Sequence, residues 1–344
     1  MAKNTDLSNA KNAKKDEFYT QLEDIKAEMV HYENQFKGKI ILMNCDDPTW
    51  SNFWRYFHIE FERLGLKKII ATHYEYGEVA SYKMEYTGGN DADTEDGIRT
   101  NLTSNGDFRS PECIELLKEA DIVVTNPPFS LFREYIALLM KYDKKFIIWS
   151  NNNAISYKEV FSLLKDNRIW LGYICNQTCV FRVPNDYKYD EKITKQKDDG
   201  YKYGKVPAIS TFTNLDIKKR HTPFETSYYY SKKDSLYPEL YPKFDNYDAI
   251  CVDKVNEIPM DYDGIMGVPI TFLSVFNPDE YEIVGRTENL DMYGLKTKIY
   301  TSEECRNRYF ELFGKKGTYD MNARGVVNGI KKYERIFIKR KDGK

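Results

Sequence analysis

The chain has 344 residues, 41% of them hydrophobic, 30% charged and 15% aromatic, with a formal net charge of −2. That length accommodates two domains, or one large α/β domain with an appendage. There is no global basic field, so contact with nucleic acid has to come from local patches, and no apolar run approaches the eighteen or so residues that span a bilayer.

Residues 1–15 are polar, and Asp16 to Gln35 has helical spacing of apolar residues at Leu22, Ile25, Met29, Val30 and Tyr32. Lys39–Cys45 is a buried strand that ends in Asp46-Asp47-Pro48. Asn52 to Leu64 is an aromatic-rich helix closed by Gly65. Lys67–Thr72 is the next strand, and Thr87–Asp91 a loop or outer hairpin. A helix over Pro111–Ala120, with its proline at the start, leads into the strand Asp121–Thr125. Leu131–Lys141 (helix), Lys145–Trp149 (strand) and Tyr157–Lys165 (helix) continue the rhythm. Strands alternating with ten-residue helices predict a mostly parallel sheet covered on both faces.

After Arg168 the rhythm changes. Ile169–Ile174, Thr178–Val183 and Ala208–Thr213 are predicted strands without intervening helices, so the sheet should finish antiparallel. Pro184–Lys205 is a long charged loop. Further short strands are expected at Ala249–Val252, Ile270–Val275 and Ile336–Ile338, with the domain boundary near residue 220. Residues 1–220 and 221–344 are thus the two expected domains. Of the six cysteines only Cys175 and Cys179 are close, and no second Cys/His pair completes a zinc framework. Reduced thiols, no metal and, with no signal-peptide core at the N-terminus, a cytoplasmic location are expected.

The most informative stretch is Asn126-Pro127-Pro128-Phe129, directly after the Asp121–Thr125 strand. Two prolines fix φ and remove two backbone donors, and Asn126 is driven out of the helical region by the proline that follows it. The product is a stiff elbow at a strand's carboxyl end, holding an amide, outward carbonyls and a ring. Those groups make a socket for a planar base with an exocyclic amine. In open α/β sheets ligands bind at strand carboxyl ends near the switch in strand order. There Asp46-Asp47-Pro48, Asn105-Gly106-Asp107-Phe108 and, before the first strand, Asp16-Glu17-Phe18-Tyr19-Thr20-Gln21 supply acids and hydroxyls. They suit a cofactor with an ammonium, ribose hydroxyls and an adenine amine, as in S-adenosylmethionine. A pyrophosphate would call for glycines, and G-x-G-x-x-G is absent.

These segments together, with Ser51-Asn52-Phe53, Arg109-Ser110, Ser130–Glu134, Tyr142–Lys145, Tyr157–Phe161, Thr213–Asp216 and Met266–Phe272, resemble the EcoRI-type adenine-specific DNA methyltransferases from Lys14 to about Glu282. The resemblance implies a Rossmann-like fold, mostly parallel with an antiparallel last strand, and a smaller C-terminal target-recognition region. It implies N6 methylation of a flipped adenine in double-stranded DNA from S-adenosylmethionine, by a monomer serving restriction–modification or acting as an orphan or phage methylase. Its location would be the cytoplasm, at the nucleoid. Asn126 and the carbonyl of Pro127 would accept from the target amine, and Phe129 would stack on the base. Asp47 would lie near the cofactor's methionine part, Asp107 near its adenine, and Tyr19 and Thr20 along its other side, with Phe18, Asp46, Pro48, Phe108 and Asn126 completing the pocket. Asp46 and Asp47 are alternatives for the direct contact, and Glu75 or Glu78 for the ribose. Unlike most methyltransferases, the chain has Pro48-Thr49-Trp50-Ser51 where a Gly-rich turn follows the first strand, as EcoRI-type members do.

Candidate DNA contacts are Lys218, Lys219 and Arg220 at the boundary, followed by His221. Other basic clusters are Lys11, Lys14 and Lys15, and the tail from Lys331 to Lys344, where seven basic residues face two acids. N4-cytosine methylation, an RNA or protein-glutamine substrate, and a catalytically silent DNA-binding module on the same fold are the alternatives.

Overall fold

The computed structural model describes residues 19–45, 47–75, 80–89, 97–183, 194–196 (backbone only), 200–316 and 324–341. Phe18, Asp46, Glu78 and the basic cluster Lys11, Lys14 and Lys15 lie outside them. The chain divides into two compact units, one of residues 1–164 and 168–217, the other of 165–167 and 218–344.

The first unit is built on one sheet of eleven described strands. In chain order these are β1 (Tyr19–Thr20), β2 (Ile40–Met43), β3 (Lys68–Thr72), β4 (Tyr82–Tyr86), β5 (Ile98–Asn101), β6 (Ile122–Thr125), β7 (Lys145–Asn151), β8 (Trp170–Leu171), β9 (Gln177–Val183), β10 (Thr194–Gln196) and β11 (Lys202–Thr213). The order across the sheet is β1-β9-β11-β7-β6-β2-β3-β4-β5. β7, β6, β2 and β3 run parallel, while β11, β9 and β1 on one side and β4 and β5 on the other are antiparallel. The four parallel strands are buried at all but the opening lysines of β3 and β7, and β2 and β6 are Ile, Val, Leu and Met apart from Thr125, as expected for a sheet covered on both faces. Strand order reverses between β2 and β6, so their carboxyl ends form the switch point.

Helices α1 (Leu22–Met29), α2 (Asn52–Ile59), α3 (Phe61–Leu64), α4 (Pro111–Glu119), α5 (Phe132–Lys141) and α6 (Lys158–Lys165) connect the strands. Ser51 caps α2 by accepting from the backbone amides of Phe53 and Trp54. The expected single helix Asn52–Leu64 breaks at Glu60, and Gly65 closes it in the left-handed conformation. Buried Glu28 on α1 accepts from the amides of Tyr173 at 3.0 Å and Ile174 at 2.6 Å and from the Tyr32 hydroxyl at 2.7 Å. A carboxylate so satisfied pins α1, and with it β1, to the antiparallel end of the sheet.

Three local expectations are corrected. The helix expected from Asp16 begins only at Leu22, because Tyr19 and Thr20 pair with Arg182 and Phe181. Lys202–Lys205 and Thr194–Gln196, expected in a loop, are strand residues, since β11 pairs with β9 from Lys202 onward. Ile270–Ser274 is a 3-10 helix rather than a strand, the strand of that region being its predecessor Met266–Pro269.

The second unit contains a four-stranded sheet of β12 (Ile250–Cys251), β13 (Met266–Pro269), β14 (Tyr281–Arg286) and β17 (Arg335–Arg340), in the order β12-β13-β17-β14, and a hairpin of β15 (Val326–Val327) and β16 (Ile330–Lys331). Phe244, Tyr247, Cys251, Val327 and Phe337 pack together in its core. Its helices are α7 (Lys233–Leu236) and α8 (Ser302–Phe313), the second opened by a capping box between Thr301 and Glu304.

Candidate active site

The elbow sits where the topology requires a ligand. β2 and β6 pair in parallel with Leu42 opposite Val123, and β2 and β3 with Met43 opposite Ala71. Continuing both registers puts Asn126, Cys45 and His73 level with one another across three neighbouring strands, at steps of about 4.8 Å. Asn126 is buried at 7% exposure, Pro127 is buried, and Phe129 is half-buried, packing against the main core while opening a short 3-10 turn. A backbone fixed by two prolines and a ring braced on the core give the elbow little freedom.

Asp47, after β2, is half-buried and fully engaged at one oxygen. Oδ1 accepts from the Thr49 amide at 2.9 Å, the Thr49 hydroxyl at 2.7 Å and the Tyr82 hydroxyl at 2.7 Å, while Oδ2 faces His73 Nδ1 at 3.4 Å. Burial pushes its pKa up, but these donors and His73 together outweigh it and hold the carboxyl below its ordinary value of 3.8. Tyr82, for the same contact, is pushed up to about 12, first by burial and then by Asp47. His73 Nε2 lies 3.1 Å from Glu75, whose amide donates to Asn105 O at 2.8 Å. The end of β3 and the loop before α4 are thereby tied together, so closely that a Cβ on Gly106 would stand 1.9 Å from the His73 carbonyl oxygen. Gly106 also has φ of +78°, a region open to glycine.

Asp107 is clamped by Arg109, which donates from Nε at 2.9 Å and Nη2 at 2.7 Å and reaches Glu134 of α5 at 2.7 Å through Nη1. Arg109 holds the Asp107 carboxyl below its ordinary value. Phe108 is buried edge-on against Tyr135, whose hydroxyl donates to Asn44 Oδ1. At the other flank Tyr19 is half-buried, Thr20 is buried at 1% exposure, and Asn52 donates to the Thr20 carbonyl at 2.8 Å. Pro48 is buried in the turn before α2.

Of the residues singled out from sequence, Asn126, Asp47, Asp107 and Thr20 all stand at or beside the carboxyl ends of the sheet. Asn44, His73, Tyr82 and Tyr135 were missed. His73 could have been found, since it is the first residue beyond the predicted strand Lys67–Thr72, whereas Asn44 lay inside the predicted strand Lys39–Cys45, which ends at Met43. Tyr82 and Tyr135 carried no local signal. Several buried polar atoms in this zone find no hydrogen-bond partner among the described residues: Thr20 Oγ1, Thr125 Oγ1 and Asn44 Nδ2. Two acceptor-donor hydroxyls and an amide donor, beside an ionised Asp47, match the ammonium, hydroxyl and carboxylate groups expected of the cofactor. Among the described residues no group of three His, Cys, Asp or Glu side chains could hold a metal, and no helix is long and apolar enough to cross a membrane.

Arg220 departs from the sequence expectation of three outward cations. It is 6% exposed and its guanidinium donates to Asn167 Oδ1, whereas Lys218 is exposed and Lys219 half-buried on the same 3-10 turn. In the basic tail, Lys332 and Arg335 pair with Asp253 at 2.9 and 3.2 Å.

The family model for the adenine-specific methyltransferase EcoRI matches residues 6–341. The chain belongs to this family. It is 44% identical over 302 residues to the Type II methyltransferase M.EcoRI of Escherichia coli, covering 84% of this chain and 91% of that protein. It is 39% identical over 338 residues to the Type II methyltransferase M.MpnI of Mycoplasma pneumoniae, and 38% identical over 342 residues to M.MgeORF184P of Mycoplasma genitalium. Each of these matches covers 97% of this chain and 98% of the relative. No solved structure matches the chain. As a member of the family the chain is an adenine-specific methyltransferase, and its mixed α/β sheet is a methyltransferase fold.

Proposed function

We propose that this methyltransferase acts on duplex DNA, transferring a methyl group from S-adenosylmethionine to N6 of an adenine within a short recognition sequence, in the cytoplasm, as the modification enzyme of a restriction–modification system. The observation that carries the reading is the Asn126–Phe129 elbow at the sheet's switch point in a chain of this family. S-adenosylmethionine supplies, when bound, an electrophilic methyl group on a sulfonium. Thr20, Asn44 and Asp47 are the residues we propose to hold it, with Tyr19, Pro48, Asp107 and Phe108 around them.

The chain's own part of the chemistry is positioning. The Asn126 amide oxygen and the Pro127 carbonyl are acceptors on a rigid backbone, and together they can take both hydrogens of the exocyclic amine. Held that way, the nitrogen lone pair leaves conjugation with the ring and is directed at the methyl carbon. Phe129 offers a face for the base, which must leave the duplex to be reached. Acceptors fixed before the reaction need no reorganisation during it. Lys218 and Lys219 are proposed as phosphate contacts; Arg220, held by Asn167, is not. Incubating the protein with methyl-labelled S-adenosylmethionine and genomic DNA should yield N6-methyladenine as the only labelled nucleoside. Label in N4-methylcytosine, or none in DNA, would reject the reading.

A further inference from the structure

β11 pairs with β7 only up to Ile209 opposite Asn151, yet beyond a register shift between Ile209 and Val206 it stays paired with β9 back to Lys202 opposite Val183. The β9–β11 hairpin therefore rises seven residues, about 20 Å, beyond the end of β7, on the side of the sheet that bears the elbow. At its outer end, where Tyr203 and Tyr19 both pair with Arg182, lies a groove of about 930 Å³ in the first unit, lined by Tyr19, Trp50, Tyr201, Tyr203, Arg99 and Arg182, among others. Arg182 is the centre of the groove's aromatic wall. Its guanidinium lies 3.4 Å from the ring centre of Tyr201, 4.9 Å from that of Trp50 and 5.7 Å from that of Tyr19. Trp50 nonetheless stays 51% exposed. Arg99 lies over Tyr82 at 3.6 Å.

Two features call for a partner. Although Arg182 covers part of it and Tyr201 stands edge-on to it at 6.4 Å, the Trp50 indole keeps half its surface open to solvent, where a base can stack. The arginines of the groove, Arg55, Arg99 and Arg182, pair with no carboxylate among the described residues, and Glu23 is the one acid on its wall. Arg99 and Arg182, oriented by ring contacts and bound to no carboxylate among the described residues, suit phosphates, and aromatic faces beside them suit bases whatever their sequence.

We infer that this groove holds a DNA strand next to the extruded adenine, with Trp50 stacking on a base and Arg182 on a phosphate. The inference rests on the DNA-methyltransferase reading and adds to it a contact surface on the catalytic unit. Since Tyr19 and Pro48 border both the groove and the proposed cofactor pocket, the competing occupant is S-adenosylmethionine. The test compares wild type with Trp50→Ala, Trp50→Phe, Arg182→Gln and Arg182→Lys. It measures affinity for a labelled duplex at several salt concentrations, cofactor affinity by calorimetry, and thermal melting as a check on folding.

Trp50→Ala should weaken DNA binding about ten-fold or more, with Trp50→Phe within a few-fold of wild type. Arg182→Gln should lower the log–log salt slope by up to about 0.9, with Arg182→Lys retaining most of it. Cofactor affinity should move less than about three-fold throughout. Loss of cofactor affinity with DNA binding intact would make the groove a cofactor subsite, and no change in either would make it packing; both outcomes overturn the inference. A wild-type protein that binds no DNA would instead reject the functional reading beneath it.

Discussion

At the scale of single residues, the elbow makes separable demands on its side chains. In the proposed role the Asn126 amide engages the target amine more than the cofactor, so Asn126→Ala should leave S-adenosylmethionine affinity within a few-fold while turnover falls. Loss of one positioned acceptor in a desolvated site costs about 2.7–4 kcal/mol, or about a hundred- to a thousand-fold in rate, and single-turnover assays at saturating cofactor would measure it. Phe129 is tested by base capture. With 2-aminopurine at the target position, Phe129→Ala should reduce the flipping signal by about 1–3 kcal/mol in capture, while Phe129→Tyr keeps it. An unchanged signal in the alanine variant would reduce Phe129 to the packing role that its core contacts already give it. Asp47 carries a pH signature. Its folded-state pKa is depressed below 3.8, so its contribution to stability is complete above that ordinary value and is lost as pH falls through the lower, folded value. Between pH 5 and 8 Asp47 should add no pH dependence, and Asp47→Asn should flatten only the acid limb of a melting-temperature profile.

At the scale of elements, the strands that position the site were legible, as were β9 and the second half of β11 beside them, whereas β4, β5, β10 and the start of β11 were not. Ile40–Met43, Lys68–Thr72, Ile122–Thr125 and Lys145–Asn151 are buried on both faces, and so appear in the sequence as continuous β-branched or aliphatic runs. β5 is exposed at every residue, β10 is Thr-Lys-Gln and β11 enters through Lys, Tyr and Gly, so pairing with a neighbour, rather than apolar pattern, makes them strands. Ile270–Ser274 misled in the opposite sense: its apolar residues are spaced for a turn that buries Phe272 and Leu273. The elbow was legible because its residues are contiguous. The Asp47–Tyr82–His73–Glu75 network was not, since it is assembled across three strands. The tie between the β3 end and the loop at Gly106 gives an element-scale prediction. Gly106→Ala must displace either the His73 carbonyl or the loop, costing more than about 1 kcal/mol, visible in denaturant unfolding. It should also weaken cofactor binding, because Asp107, proposed to line the cofactor pocket, moves with the loop.

At the scale of the whole molecule, the two compact units meet in sequence at Ile217 and Lys218, and exposed Lys218 with half-buried Lys219 just past that point are the proposed phosphate contacts. Lys218→Ala with Lys219→Ala should weaken binding to all DNA sequences alike and reduce the salt slope by up to about 0.9 per lost contact. Preference for the recognition sequence should persist, because phosphate contacts position without reading bases. An effect confined to one sequence would place these lysines at base edges instead. The most direct measurement of the central claim is native modified-base sequencing of DNA from cells expressing the chain, beside cells expressing Asn126→Ala. The account predicts N6-methyladenine at one recurrent short motif in the first and its near absence in the second; methylation on cytosine, at no motif, or undiminished in the variant would contradict it.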